Sequence, residues 1–115
     1  MAKQPESLIR DAICRYLDDR EDVYYWVNRN TSAYLGGGKF GRPPKGFKYG
    51  VADIIAIQHA GPFANPNLYA IEVKTKTGRL SDYQKEHKKE ITVHGGTHIL
   101  ARKVDDVQRE IELGD

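Results

Sequence analysis

One cysteine, Cys14, is all the thiol chemistry this chain holds, so an intramolecular disulfide is excluded and a reducing compartment fits. Nothing near Cys14 marks it as an activated nucleophile, and a packed small residue is expected. No apolar run approaches the roughly 20 residues that span a bilayer. The opening MAKQPES leads straight into an amphipathic pattern without a signal-peptide core, which predicts a cytoplasmic protein and no membrane partner. There is no internal repeat and no low-complexity stretch. At 115 residues the chain fits one domain with one modest core, spanning 1–115.

Acids are scarce in the middle of the chain. From Lys39 to Lys103 there are twelve Lys and Arg against five Asp and Glu, a balance of +7, while the two flanks together carry −5. The overall charge of +2 hides this asymmetry. A basic middle between acidic ends suggests a face presented to a polyanion. Part of that middle is the loop TSAYLGGGKFGRPPKGFKYG. Gly36, Gly38 and Gly41 match GxGxxG, but Pro43-Pro44 forbids the helix that would hold a pyrophosphate. Lys39 is followed by Phe40 rather than Ser or Thr, which excludes an NTPase phosphate loop. What remains is a loop with Lys39, Arg42, Lys45 and Lys48, no acids, and Phe40, Phe47 and Tyr49 interleaved. Those cations suit phosphates and the rings suit bases.

The stretch from Tyr49 to Gln84 organises the rest. It reads as two apolar runs, Val51–Gln58 and Leu68–Thr75, split by the turn GPFANPN, and predicts an antiparallel hairpin. Asp53 opens the first strand and Glu72 closes the second, so antiparallel pairing brings both acids to one end of the sheet. Strand alternation puts Glu72 and Lys74 on one face and Ile71 and Val73 on the other. Two carboxylates beside an ammonium form a hard-oxygen site for a divalent cation; the plainer reading is an ion-pair network at a sheet edge.

Around this hairpin the spacing predicts a helix over Pro5–Leu17, with Glu6 on its core-facing stripe, and a strand over Val23–Asn30 with Trp26 in the core. Lys76 and Arg79 follow the site in a turn. Ser81 caps a helix to about His94, and Ser81-X-X-Gln84 reads as a capping box. His87 reads as a partly buried helix residue. Gly95-Gly96 ends that helix, Thr97–Arg102 gives a last strand, and Val104, Val107 and Ile111 suggest a closing helix. The class is α/β, a small mixed sheet flanked by helices.

The pattern Asp53, then Glu72-Val73-Lys74, resembles the PD-(D/E)xK nuclease superfamily. The finer set is similar to its VRR-NUC branch: Glu6 on an early helix, Gly50-Val51-Ala52-Asp53, Ile71-Glu72-Val73-Lys74, Gly78, Leu80-Ser81 and Gln84. Ala52 stands where the superfamily has Pro. The resemblance covers most of the chain and implies a restriction-endonuclease-like core in the order αβββαβ. It implies a Mg2+-dependent DNA endonuclease, with Mn2+ able to substitute. Asp53, Glu72, the Val73 carbonyl and Glu6 would hold the metal, and Lys74 would orient or deprotonate water or stabilise charge. From position alone Glu6 is equally a first-turn acid favoured by the helix dipole. Gln84 is implied to lie near the scissile phosphate, against its reading as a cap. Lys39, Arg42, Lys45, Lys48, Lys76 and Arg79 would contact DNA. Stand-alone bacterial and phage members of the branch suggest a homodimer acting on branched DNA such as four-way junctions. The alternatives are a non-cleaving nucleic-acid-binding module and a sequence-reading restriction-type enzyme.

Overall fold

The polypeptide builds three layers, two helices on one face of a four-stranded sheet and one helix on the other. A computed structural model describes residues 5–28 and 44–115. In chain order these form α1 (Glu6–Asp18), β1 (Val23–Val27), β2 (Ile54–Gln58), β3 (Asn67–Val73), α2 (Asp82–Val93), β4 (Thr97–Ala101) and α3 (Val104–Leu113). The sheet order is β1-β2-β3-β4, antiparallel except for the parallel β3–β4 pair.

Side-chain alternation sorts the strands between two unequal cores. Ile54, Ala56, Tyr69, Ile71, Val73, Ile99 and Ala101 point towards α1 and α3, whose Ile9, Ile13, Leu17, Val107 and Ile111 complete the main core. The opposite face carries only a small cluster of Ala52, Ile55 and Ala70, with Ile91 of α2 against it. At the end of the sheet away from the acids, buried Gln58 donates to the Ile111 carbonyl and to Asp22 and Asp115. Tyr69 donates to the Gln58 side-chain oxygen at 2.8 Å, so this network fastens α3 and the C-terminal residue to β2.

Several sequence expectations shift. β1 ends at Val27, short of the expected Asn30, which lies outside the described residues. Trp26 is 41% exposed rather than core. β1 is an edge strand, Val23 and Tyr25 take its inner face against α1, and α2 packs over β4 rather than over β1. Tyr24 and Trp26 therefore meet each other on the thinly covered face, their rings 5.9 Å apart. Glu6 is likewise exposed, because the buried stripe of α1 starts only at Ile9; Leu8 is also exposed. β2 starts at Ile54, leaving Asp53 one residue ahead of it. Cys14 is partly buried, and burial pushes its thiol above the ordinary value, as suits a packed, unreactive residue.

Two local features fix the start of α2 and its approach to the hairpin. Ser81 Oγ accepts from the Gln84 N–H and Gln84 Oε1 accepts from the Ser81 N–H at 2.8 Å, the expected capping box. Gly50, at φ +75°, passes so close to the first turn of α2 that a β-carbon there would lie 2.4 Å from the Tyr83 carbonyl carbon. Only glycine permits both the positive φ and the approach. Gly50→Ala is therefore expected to lower stability by about 2–3 kcal/mol, the cost of strained backbone plus a forced shift of α2. Urea unfolding checks this, and an unchanged midpoint would contradict it.

Candidate functional site

The antiparallel register pairs Ile54 with Ile71, and one further step sets Asp53 across from Glu72. The end of the hairpin thus brings the two acids together, as the sequence predicts. Asp53 does more than face Glu72. Its Oδ2 accepts from the Val73 N–H at 2.7 Å, continuing the β2–β3 ladder one residue before the start of β2. Asn28 supports the same position, its backbone N–H donating to the Asp53 carbonyl at 2.7 Å and its side chain to the Ala52 carbonyl at 3.0 Å. Trp26 Nε1 in turn donates to Asn28 Oδ1 at 3.1 Å. Sequence reasoning gave Asn28 no role. Its signal was its place two residues after Trp26 on the same strand face.

Glu72 is 3% exposed, and its Oε1 has no hydrogen-bond partner. Burial pushes its pKa up to about 8, and the hydrogen bond and negative charge of Asp53 add to the rise. The Lys74 ammonium pulls the other way, and Glu6 adds a smaller repulsion. A carboxyl taken out of water beside a second carboxyl is held in its neutral form unless a positive charge joins the pair. Lys74 is half-buried, and its aliphatic stem lies 3.3 Å from the point where a Gly78 β-carbon would stand. The bare Gly78 backbone thus gives the lysine room to lie along the turn. Arg102, directly after the β4 residue paired with Val73, donates to the Thr75 carbonyl and holds that turn. It was not singled out from the sequence either; its parallel alignment with β3 is what brings it there.

The remaining expectations divide. Glu6 influences Glu72 but does not complete a ligand cluster: among the described residues no group of three or more His, Cys, Asp or Glu is placed to hold a metal ion. The groups that do converge are the Asp53 and Glu72 carboxyls, with the Val73 N–H donating to Asp53. An unpartnered buried carboxylate oxygen beside another carboxylate suits a hard divalent cation, so this donor set fits Mg2+ or Mn2+ with water filling the rest of the shell. Gln84 has its side-chain oxygen committed to the cap. Lys45, Lys48, Lys76 and Arg79 are exposed, and none forms an ion pair among the described residues. Lys39 and Arg42 lie outside the described residues. His87 is partly buried, as expected.

No family profile, curated protein or solved structure matches the chain. Among the described residues no helix is long and apolar enough to cross a membrane.

The buried acid has a consequence for stability without metal. A carboxyl with a raised folded-state pKa stabilises the protein below its unfolded value, and that stability is lost as pH rises through the folded value. For Glu72 the loss runs from the ordinary 4.5 to about 8. Burial holds His98 and His87 below their ordinary 6.5, His98 at about 4, so they favour folding increasingly up to pH 6.5 and add nothing above it. Between pH 6.5 and 8 the slope therefore belongs to Glu72. The melting temperature in EDTA is expected to fall across that window, and Glu72→Gln is expected to flatten the fall. A wild-type protein as stable at pH 8 as at 6.5 would contradict the assignment.

Proposed function

We propose that this chain is a divalent-metal-dependent DNA endonuclease of the VRR-NUC kind, within the PD-(D/E)xK superfamily. The observation that carries the reading is the buried, incompletely partnered Glu72 carboxyl beside Asp53 and Lys74 at one end of a β-hairpin. The element order α1-β1-β2-β3-α2-β4 supports it, since the motif resemblance implies a core in the order αβββαβ. The exposed Lys45, Lys48, Lys76 and Arg79 offer phosphate contacts.

Asp53, Glu72 and the Val73 carbonyl would hold Mg2+, or Mn2+ in its place. When bound, such a cation supplies a lowered pKa for water and neutralises charge at the phosphate. The chain's own residues do the rest. Asp53 is fixed by the Val73 N–H and, through its backbone, by Asn28, so its carboxylate is held in place beside Glu72. Glu72 contributes an oxygen already stripped of water. Lys74, whose stem lies along Gly78, would orient the attacking water or offset charge on the phosphate. Glu6, exposed on α1, acts on this group through its charge or through water rather than as a direct ligand.

A second reading is favoured by one observation. The Asp53 carboxylate already completes a backbone ladder, and among the described residues no third acid joins the pair as a ligand group. A nuclease-like domain that holds DNA without cutting would look the same at these two residues. The substrate class we propose is branched DNA, with a four-way junction first, cut by a homodimer in the cytoplasm. Two nicks on symmetry-related strands need two copies of one site around a two-fold axis.

Two experiments test the proposal. In the first, wild-type protein with Mg2+ or Mn2+ is set against duplex, flap, splayed and four-way DNA, beside Asp53→Ala, Glu72→Ala and Lys74→Ala. The wild type is expected to cut, and each variant to lose at least about a hundredfold in rate while keeping most of its DNA affinity. Variants that cut at the wild-type rate would refute the mechanism, and a wild type that binds but never cuts would establish the second reading. In the second, light scattering with cut mapping on a junction is expected to show a dimer making paired nicks. A monomer preferring linear ends would refute the dimer and junction assignments and leave the metal site standing.

A further inference from the structure

Beside the acids, the approach to Asp53 forms the wall of a groove that the proposed hydrolysis does not use. The segment Phe47–Tyr49 lies against α2, enclosing about 660 Å³ between them. Its floor is a run of rings. Phe47 meets Tyr49 edge-on with centroids 5.0 Å apart, and Tyr49 meets Tyr83 at 5.1 Å with their planes tilted by 40°. Tyr49 and Tyr83 are nonetheless 55% and 63% exposed, so they are not packed as core residues and offer free ring surface to solvent. Glu86 and Glu90 line the α2 side one turn apart, His87 and His94 lie beside them with His94 Nδ1 3.7 Å from a Glu90 oxygen, and Lys48 stands on the loop side.

The position of this platform is fixed. Tyr83 lies in the first turn of α2, immobilised by the Ser81–Gln84 capping box, and Gly50 presses against its backbone. From Tyr49 the chain needs four residues to reach Asp53, at most about 14 Å of extended backbone. Whatever occupies the groove is therefore within a few nucleotides of the acid pair.

The charge distribution selects the occupant. Carboxylates on the α2 wall disfavour a phosphate inside the groove, yet they can accept hydrogen bonds from exocyclic amines. The cations Lys45 and Lys48 sit on the loop, without acid partners among the described residues, where a phosphate backbone would pass. A flat ring with amine donors, attached to an anionic chain that stays outside, meets all of these conditions. We propose that the Phe47–Tyr49–Tyr83 platform takes an unpaired nucleobase by stacking. This rests on the endonuclease reading and deepens it: the chain selects DNA in which a base close to the cut is free to leave the stack, as at a branch or splayed end. A fully paired duplex would have to give up a base pair to fill the groove, and so is disfavoured.

The test uses oligonucleotides carrying 2-aminopurine, whose fluorescence is quenched by stacking. They are bound in EDTA so that binding is read without cutting, and cleavage is measured separately on the same DNAs with Mg2+. The wild type is expected to quench the base in a single strand or at a splayed junction and not in a paired duplex. Tyr49→Ala and Tyr83→Ala are expected to weaken single-strand binding about five- to a hundredfold, with the salt dependence unchanged because no phosphate contact is lost. Tyr83→Phe, which keeps the ring, is expected to bind as the wild type does. Since both rings are exposed, melting temperatures of the alanine variants should stay near the wild-type value, and this is checked alongside. Alanine variants that bind and quench like the wild type, or equal quenching of paired and unpaired bases, would overturn the inference. Quenching as expected in a protein that cuts no DNA with Mg2+ or Mn2+ would sustain the base platform and refute the endonuclease reading alone.

Discussion

A buried carboxyl, Glu72, held beside the partly exposed Asp53 is the constraint around which this structure is arranged. Bringing Asp53 and Glu72 to one end of the β2–β3 hairpin follows from the antiparallel register, and burying Glu72 follows from the layer above it. Neither comes free. Desolvation drives the Glu72 carboxyl towards its neutral form and Asp53 adds repulsion, so the pair is a standing source of instability in the absence of a cation or a shared proton. The surrounding backbone compensates by holding the acids rather than relaxing them. The Val73 N–H takes one Asp53 oxygen, Asn28 takes the Asp53 carbonyl, and Arg102 holds the turn that carries Lys74 onwards.

The rest of the molecule divides into a half that stabilises and a half that presents. The α1/α3 face carries nearly all of the fully buried apolar residues and the Gln58 network. The α2 face has a core of three small-to-medium residues and no fully buried residue of α2 itself. Such a layer contributes little hydrophobic energy, and its position depends on Gly50, the capping box and Ile91. A thinly packed layer beside the buried Glu72, with exposed tyrosines and with lysines that form no ion pair among the described residues, is poorly explained by stability alone. It suits a surface that meets a large, flat, anionic ligand.

Much of this was legible in the sequence because it depends on local spacing. The two apolar runs Val51–Gln58 and Leu68–Thr75 located both site strands, and the GPFANPN turn set their antiparallel sense. Ser81 and Gln84 announced their cap, whereas the close approach of Gly50 to α2 was not read from the sequence. What was not legible depends on which neighbour covers a given face. Trp26 has the composition of a core residue, yet its face lies beyond the reach of α2. Glu6 falls on the helical stripe, but the stripe meets the sheet only from Ile9 onwards. Asn28 and Arg102 act through hydrogen bonds to backbone carbonyls 24 and 27 residues away. No periodicity records such contacts.

The central claim is that Asp53 and Glu72 form a cation site rather than a proton-sharing structural pair. Calorimetric titration of Mn2+ into the metal-free protein, with Asp53→Asn and Glu72→Gln in parallel, tests it without any assumption about substrate. The account predicts saturable binding by the wild type that each of the two variants abolishes while remaining folded. Absence of saturable binding by the wild type, or equal binding by Glu72→Gln, would contradict it.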